Sequence, residues 1–157
     1  MADHRNGRTP RCHPVREELD VFEARRAVRH FAAELGFNVQ GREELVIVVS
    51  ELGSNIIKYG ISGDITYEKV ETEGLGKGIR VIARDVGPPF VNLTLALTDG
   101  YSDRGPIDPM DLIKRRGFGG GLGAVVRLSD SFECRTGAGE KHISVIRYVR
   151  RPKRSTP

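Results

Sequence analysis

The sequence predicts an α+β fold, a two-layer sandwich in which a mixed or antiparallel β-sheet carries helices on one face. Three observations lead there. Two stretches with apolar residues at helical spacing come first, over about 20–35 and 42–59. Two hairpin patterns follow, over 64–84 and 131–149, each alternating around a glycine-bearing turn. Between the hairpins, GFGGGLGAVV at 117–126 sets a run of glycines directly before a short apolar helix.

The first helix reads VFEARRAVRHFAAELGF, with Phe22, Ala24, Ala27, Val28, Phe31, Ala32 and Leu35 at helical spacing. Asp20 suits its N-cap and Gly36 the position just past its end. The second helix, from Arg42 to Tyr59, holds Leu45, Val46, Ile47, Val48, Val49, Leu52, Ile56 and Ile57. It is apolar on most sides and so is expected to be largely buried, with Gly60 ending it. DITYEKVE (64–71) and GIRVIAR (78–84) alternate, and TEGLGKG links them as a hairpin turn. Residues 86–116 show no sustained period, which in a compact domain marks a lid or a binding loop. The glycine run then opens a helix to about Ser129, and SFECRTG with KHISVIRYV forms the last hairpin.

The 157 residues are the size of one domain. Residues 1–14 read as a disordered tail, 15–150 as the domain and 151–157 as a basic tail. The net charge of +4 comes from Arg and Lys concentrated near both ends, which describes solvated termini rather than a basic face. Nucleic acid is therefore not expected as a partner. The two cysteines, Cys12 and Cys134, form no CxxC pattern and no disulfide framework. No apolar run approaches the roughly 20 residues of a membrane span, and no signal-peptide core precedes residue 20. The expectation is a cytoplasmic protein without a membrane partner.

Glycine is costly in a helix, about 0.5–1 kcal/mol relative to alanine, so a glycine run at a helix start needs a reason. The first N–H groups of a helix have no internal partner and sit at the positive end of the peptide dipoles. A chain without Cβ atoms can wrap phosphate oxygens closely there. There is no Gly-Lys-Ser/Thr ending, which excludes a Walker A loop. The run follows an irregular segment rather than a strand, which argues against a Rossmann turn. The alternative is a flexible hinge or a tight packing turn.

Two further elements bear on this. In ELGSN, Glu51 and Asn55 are four apart and share a helix face, with Lys58 three further on. A carboxylate and an amide on so apolar a helix need partners. An amide oxygen suits a hard ion such as Mg²⁺, which takes few protein ligands, and Glu51 is then available to act on a proton. They could equally be capped or solvent-facing. In RDVGPPF, Asp85 stands where a strand gives way to a turn. It is either a turn-former or an acceptor for an adenine amine, with Gly87 letting the base approach.

ELGSN, DVGPPF and GFGGGLG in this order resemble the N, G1 and G2 boxes of the GHKL (Bergerat-fold) ATPases. Within that group the chain is similar to the RsbT-type serine kinases and the related anti-sigma factor kinases. EARRAVRHFAAELGF, SELGSNIIKY, DGYS at 99–102, GLGAVVRLSDSFE and IRYVR also match, so the resemblance runs from about residue 15 to 150. It implies ATP and Mg²⁺ as cofactors. Asn55 would coordinate the metal, and Glu51 would be the general base toward a serine hydroxyl. Asp85 would read the adenine, with Gly87 beside it. Gly117, Gly119, Gly120, Gly121, Leu122 and Gly123 would line the phosphates, and Lys58 and His142 complete the implied nucleotide-binding set. Residues 87–116 would be the ATP lid.

The chain departs from the family pattern in three places. Pro89 replaces the second glycine of the G1 box, and DRGPIDPMDLIKRR lengthens the lid. GEKH, with Lys141 and His142, stands where the family often has Gly-Thr. The resemblance implies an ATP-dependent serine/threonine protein kinase. Its substrate would be a STAS-domain antagonist in a stressosome-like scaffold, and the released kinase would activate a PPM-type phosphatase. The alternatives are an anti-sigma factor that sequesters a sigma subunit and an ATP-binding pseudokinase that only docks.

Overall fold

The computed structural model describes residues 10–87, 101–102, 105–106 and 121–152. Strand β1 (Arg11–Val15) leads into helices α1 (Glu18–Leu35) and α2 (Val39–Tyr59). The hairpin of β2 (Ser62–Thr72) and β3 (Gly76–Val86) follows. A short ribbon of β4 (Tyr101–Ser102) and β5 (Gly105–Pro106) comes next, then α3 (Gly121–Leu128) and the hairpin of β6 (Ser131–Gly137) and β7 (Glu140–Tyr148). The five longer strands form one sheet in the order β1-β2-β3-β7-β6, with every neighbouring pair antiparallel. This is the expected α+β sandwich, with the sheet antiparallel throughout its described strands.

The alternation of the strands decides which face the helices cover. Ile65 and Tyr67 of β2, Ile79, Val81 and Ala83 of β3, and Ile143 and Val145 of β7 point inward and are buried. They meet Ala24, Val28 and Phe31 of α1 and Leu45, Val48, Val49, Leu52 and Ile56 of α2 in one core. Burying each large side chain contributes about 1.5–3 kcal/mol. The opposite face holds cross-strand ion pairs, Arg80–Glu68 at 2.9 Å and Arg84–Asp64 at 3.0 Å, and stays open.

The helix boundaries differ from the expected ones for local reasons. Helix α1 has Glu17 at its N-cap, and Asp20 acts from inside the first turn. The Asp20 carboxylate accepts from the backbone N–H groups of Arg16 and Glu17 at 2.8 and 3.0 Å. Gly36 ends the helix in the left-handed conformation (φ 95°), as expected. The buried stripe runs through Val21 rather than Phe22, which is exposed. Helix α2 starts at Val39, because the Asn38 side chain caps it by accepting from Gly41 N–H at 2.8 Å. The turn between β2 and β3 falls where the glycines of TEGLGKG place it, with Gly74 and Gly76 at positive φ.

All of strand β1 except Val15 lies inside the stretch read from sequence as a disordered tail. Its inward residues are polar except for Val15, yet each finds an aromatic partner. His13 stacks on Tyr67 with ring centroids 5.6 Å apart, and the Arg11 guanidinium lies 5.4 Å from the Phe31 ring. Pro14 is tolerated because β1 is an edge strand. At the other end, Arg151 belongs to the folded body. It donates to the carbonyls of Arg127 and Ser129 and to the Asp130 carboxylate at 3.0–3.2 Å.

Candidate functional site

Helix α2 carries one polar face through an apolar environment. Glu51 is buried at 4% exposure, Asn55 is half-buried and Lys58 is exposed. At about 1.5 Å rise per residue, this face leads from the core to solvent in two turns. Helix α3 packs against α2. The helix that begins at Gly121, with φ 60°, therefore lies alongside the one that carries Glu51 and Asn55. Leu122 and Gly123 are buried in that contact layer. Gly117, Gly119, Gly120 and Pro89 lie outside the described residues, as does most of the expected lid at 87–116.

Arginines hold the other end of α3. Arg147, 6% exposed on β7, donates to the Leu128 carbonyl at 2.8 Å and pairs with Glu44 of α2. Cations at a helix C-terminus are favoured by the peptide dipoles. Arg147 and Arg151 together fix where α3 sits against α2 and the sheet. Sequence reading placed Arg147 in an alternating strand and Arg151 in a tail. The signal for Arg147 was a charge at an inward position of β7.

Asp85 stands near the end of β3, 7% exposed, opposite Gly63 of β2 and Lys141 of β7. The C-terminal turn of α2 presses on it. A Cβ on Gly63 would stand 2.6 Å from the Arg84 carbonyl and 3.0 Å from Asp85 Cβ. A Cβ on Gly87 would stand 2.8 Å from the Tyr59 carbonyl and 3.1 Å from Gly60 Cα. Glycine is required at both places because backbone meets backbone. Hydrogen bonds from Ile61 N–H to the Val86 carbonyl (2.7 Å) and from Gly87 N–H to the Gly139 carbonyl (3.0 Å) lock this corner.

Within the corner, Asp85 Oδ1 is buried and has no hydrogen-bond partner among the described residues. The ammonium of Lys141, 3% exposed, is 3.6 Å away, in charge contact but beyond hydrogen-bond length. Burial pushes the Asp85 carboxyl above the usual carboxylate range, and Lys141 and then His142 oppose that rise. An acceptor left buried without a donor costs about 1–3 kcal/mol. Such a group needs a donor, and a bound ligand is one source of it. The corner therefore fits a molecule that presents an N–H, as an adenine amine does. Burial also pushes the Cys134 thiol up, which leaves it protonated beside Lys141 and Asp85.

His142 is placed elsewhere. It lies on the open face of the sheet, opposite Arg84, with Nε2 3.3 Å from a Glu140 carboxylate oxygen. There it lines a shallow groove of about 280 Å³ with Arg80, Ile82 and Arg135. The structure thus brings Lys141, and not its neighbour His142, to the face that holds Asp85. Among the described residues no cluster of three or more His, Cys, Asp or Glu side chains could hold a metal. Asn55, half-buried one turn beyond Glu51, fits an ion that draws most of its ligands from phosphate and water. No described helix is long and apolar enough to cross a membrane.

Known proteins match this architecture. Residues 14–147 match the family model of the histidine kinase-like ATPase domain. The chain is 34% identical over 140 residues to the serine/threonine-protein kinase RsbT of Bacillus subtilis, covering 88% of this chain and 96% of that one. Among solved structures, the RsbU and RsbW domains of Rv1364c from Mycobacterium tuberculosis superpose with a TM-score of 0.59 at 15% identity. That match covers 96% of this chain and 35% of the other, so the chain spans about a third of that protein. The SiaB-SiaC complex from Pseudomonas aeruginosa gives a TM-score of 0.53 at 14% identity, with 88% of each chain covered. The chain belongs to the histidine kinase-like ATPase domain family, and within it to the RsbT-type serine/threonine protein kinases.

Proposed function

We propose that this chain is a partner-switching kinase that binds ATP with Mg²⁺ and phosphorylates a serine of a STAS-domain protein in a stressosome-like scaffold. Its release from that partner would activate a PPM-type phosphatase. The observation that carries the reading is Asp85, whose buried Oδ1 lacks a donor among the described residues, in a corner closed by Gly63 and Gly87. When bound, ATP supplies the phosphoryl group and Mg²⁺ offsets its charge.

The chain's own residues do the rest. Asp85 accepts from the 6-amine of the base. Asn55 offers its amide oxygen to the metal. Glu51, one turn deeper on the same face, takes or orients the proton of the acceptor serine. Gly121, Leu122 and Gly123, at the start of α3, would offer backbone N–H groups to the phosphates, the role the glycine run at 117–120 was expected to share. Lys58, at the solvent end of the α2 face, adds positive charge. Little covalent chemistry is asked of the protein, so most of the rate comes from position and charge.

The experiment is incubation of the full chain with Mg²⁺, γ-labelled ATP and a candidate STAS-domain partner. Label on a partner serine, lost in Glu51→Gln, supports the reading. Nucleotide binding without transfer would identify a docking module. Stable capture of a sigma subunit in place of the STAS partner would identify an anti-sigma factor.

A further inference from the structure

We infer that Lys141 is a specificity-determining residue of the base corner: its ammonium donates to purine N1 while Asp85 beside it accepts from the 6-amine. This rests on the nucleotide reading above and adds to it a second, direct contact to the base.

Asp85 and Lys141 are directly opposite on neighbouring antiparallel strands, so both side chains leave the sheet on the helix-covered face. Both are nearly inaccessible, at 7% and 3% exposure. A buried ammonium is costly unless an opposite charge stands near it. Asp85 supplies that charge at 3.6 Å. The two form an ion pair, and an ammonium has three N–H donors, so pairing with Asp85 does not exhaust it.

Their chemistry is one-directional. A carboxylate only accepts and an ammonium only donates. Side by side they form an acceptor–donor couple. The Watson–Crick edge of adenine offers the complement, a donor amine at position 6 next to an acceptor at N1. Guanine inverts both positions. A hydroxyl in this place would donate or accept as required and impose no such direction. The ammonium of Lys141 fixes the sign at position 1. His142 cannot take this part, because it faces the open side of the sheet.

The test pairs a change in the protein with a change in the base. Affinities of ATP and of 1-deaza-ATP, which lacks the N1 acceptor, are measured by calorimetry for the parent, Lys141→Met, Lys141→Gln and Asp85→Asn. The 7-deaza analogue, which keeps the whole edge, is the control. The parent should bind 1-deaza-ATP about tenfold or more weaker than ATP, the usual size of a lost charged hydrogen bond. Lys141→Met should bind the two alike, and Lys141→Gln, which keeps a donor, should recover part of the preference. The parent ratio alone tests the inference should a variant not fold.

Equal affinity of the parent for ATP and 1-deaza-ATP overturns the inference. Full retention of the preference in Lys141→Met overturns it as well, and leaves Lys141 as a counter-charge only. In either case, loss of ATP binding in Asp85→Asn keeps the nucleotide site standing. Undiminished ATP binding in Asp85→Asn removes the base corner itself, and this inference with it.

Discussion

Arg147 joins three elements: from β7 it donates to the Leu128 carbonyl at the end of α3 at 2.8 Å and pairs with Glu44 on α2. Both charged side chains are largely buried, at 7% and 15% exposure. Removing one member of such a pair leaves the other buried and uncompensated, which costs about 3–5 kcal/mol. Arg147→Met is expected to lower stability by that order in urea melts. Combined with Glu44→Met, it should lose clearly less than the sum of the two single changes. Additive losses would show that the contact is not energetically coupled.

The glycines around Asp85 make a second expectation. A Cβ at Gly87 would sit 2.8 Å from the Tyr59 carbonyl, whereas one at Gly137 would meet nothing within 4 Å. Gly87→Ala should destabilise by about 1–3 kcal/mol, the usual cost of forcing atoms into packed space. Gly137→Ala should be close to neutral. Thermal melts of the two variants check this, and Gly87→Ala should also weaken nucleotide binding.

Asp85 should give ATP affinity an acid limb. The carboxylate accepts from an amine more strongly than the neutral acid does, and burial raises its pKa above the ordinary 3.8. The charged form is therefore lost earlier as pH falls than for an exposed aspartate. Affinity is expected to be flat near neutrality and to fall as pH drops through the raised pKa. In Asp85→Asn the limb should vanish while overall affinity is low. Calorimetry across pH 4.5–8 tests the sign, with the protonation of ATP itself allowed for by a nucleotide-only titration.

Much of the fold is written locally. The α2 stripe of Leu45, Val48, Val49, Leu52 and Ile56 and the turn glycines Gly74 and Gly76 place their elements from neighbours a few residues away. Strand β1 is not written so, because its inward Arg11 and His13 reach aromatic rings on α1 and β2 that are distant in sequence. Asp85 was legible as a candidate because it ends an alternating run beside Gly87. Its relation to Lys141 depends on the register of β3 and β7, 56 positions apart, which no local pattern encodes. The same register separates Lys141 from His142, adjacent in sequence and on opposite faces of the sheet. Arg147 was hidden for a related reason, since a charge in an alternating strand reads as solvent-facing until its strand is paired.

Two positions on α2 separate binding from transfer. Asn55→Ala should abolish the dependence of ATP affinity on Mg²⁺, because the amide oxygen that would hold the ion is gone. Glu51→Gln keeps shape and hydrogen-bonding capacity in a buried position, so affinity should hold while transfer slows by about 10²–10⁴. Single-turnover transfer and equilibrium binding, measured on the same variants, check the split.

The central claim is that Asp85 and the α2 face serve one nucleotide site. Calorimetric titration of ATP, with and without Mg²⁺, into the parent, Asp85→Asn and Asn55→Ala addresses it most directly. Binding strengthened by Mg²⁺ in the parent, nearly lost in Asp85→Asn and made indifferent to Mg²⁺ in Asn55→Ala, is the expected result. Binding in Asp85→Asn and Asn55→Ala that matches the parent in strength and in its response to the metal would contradict it.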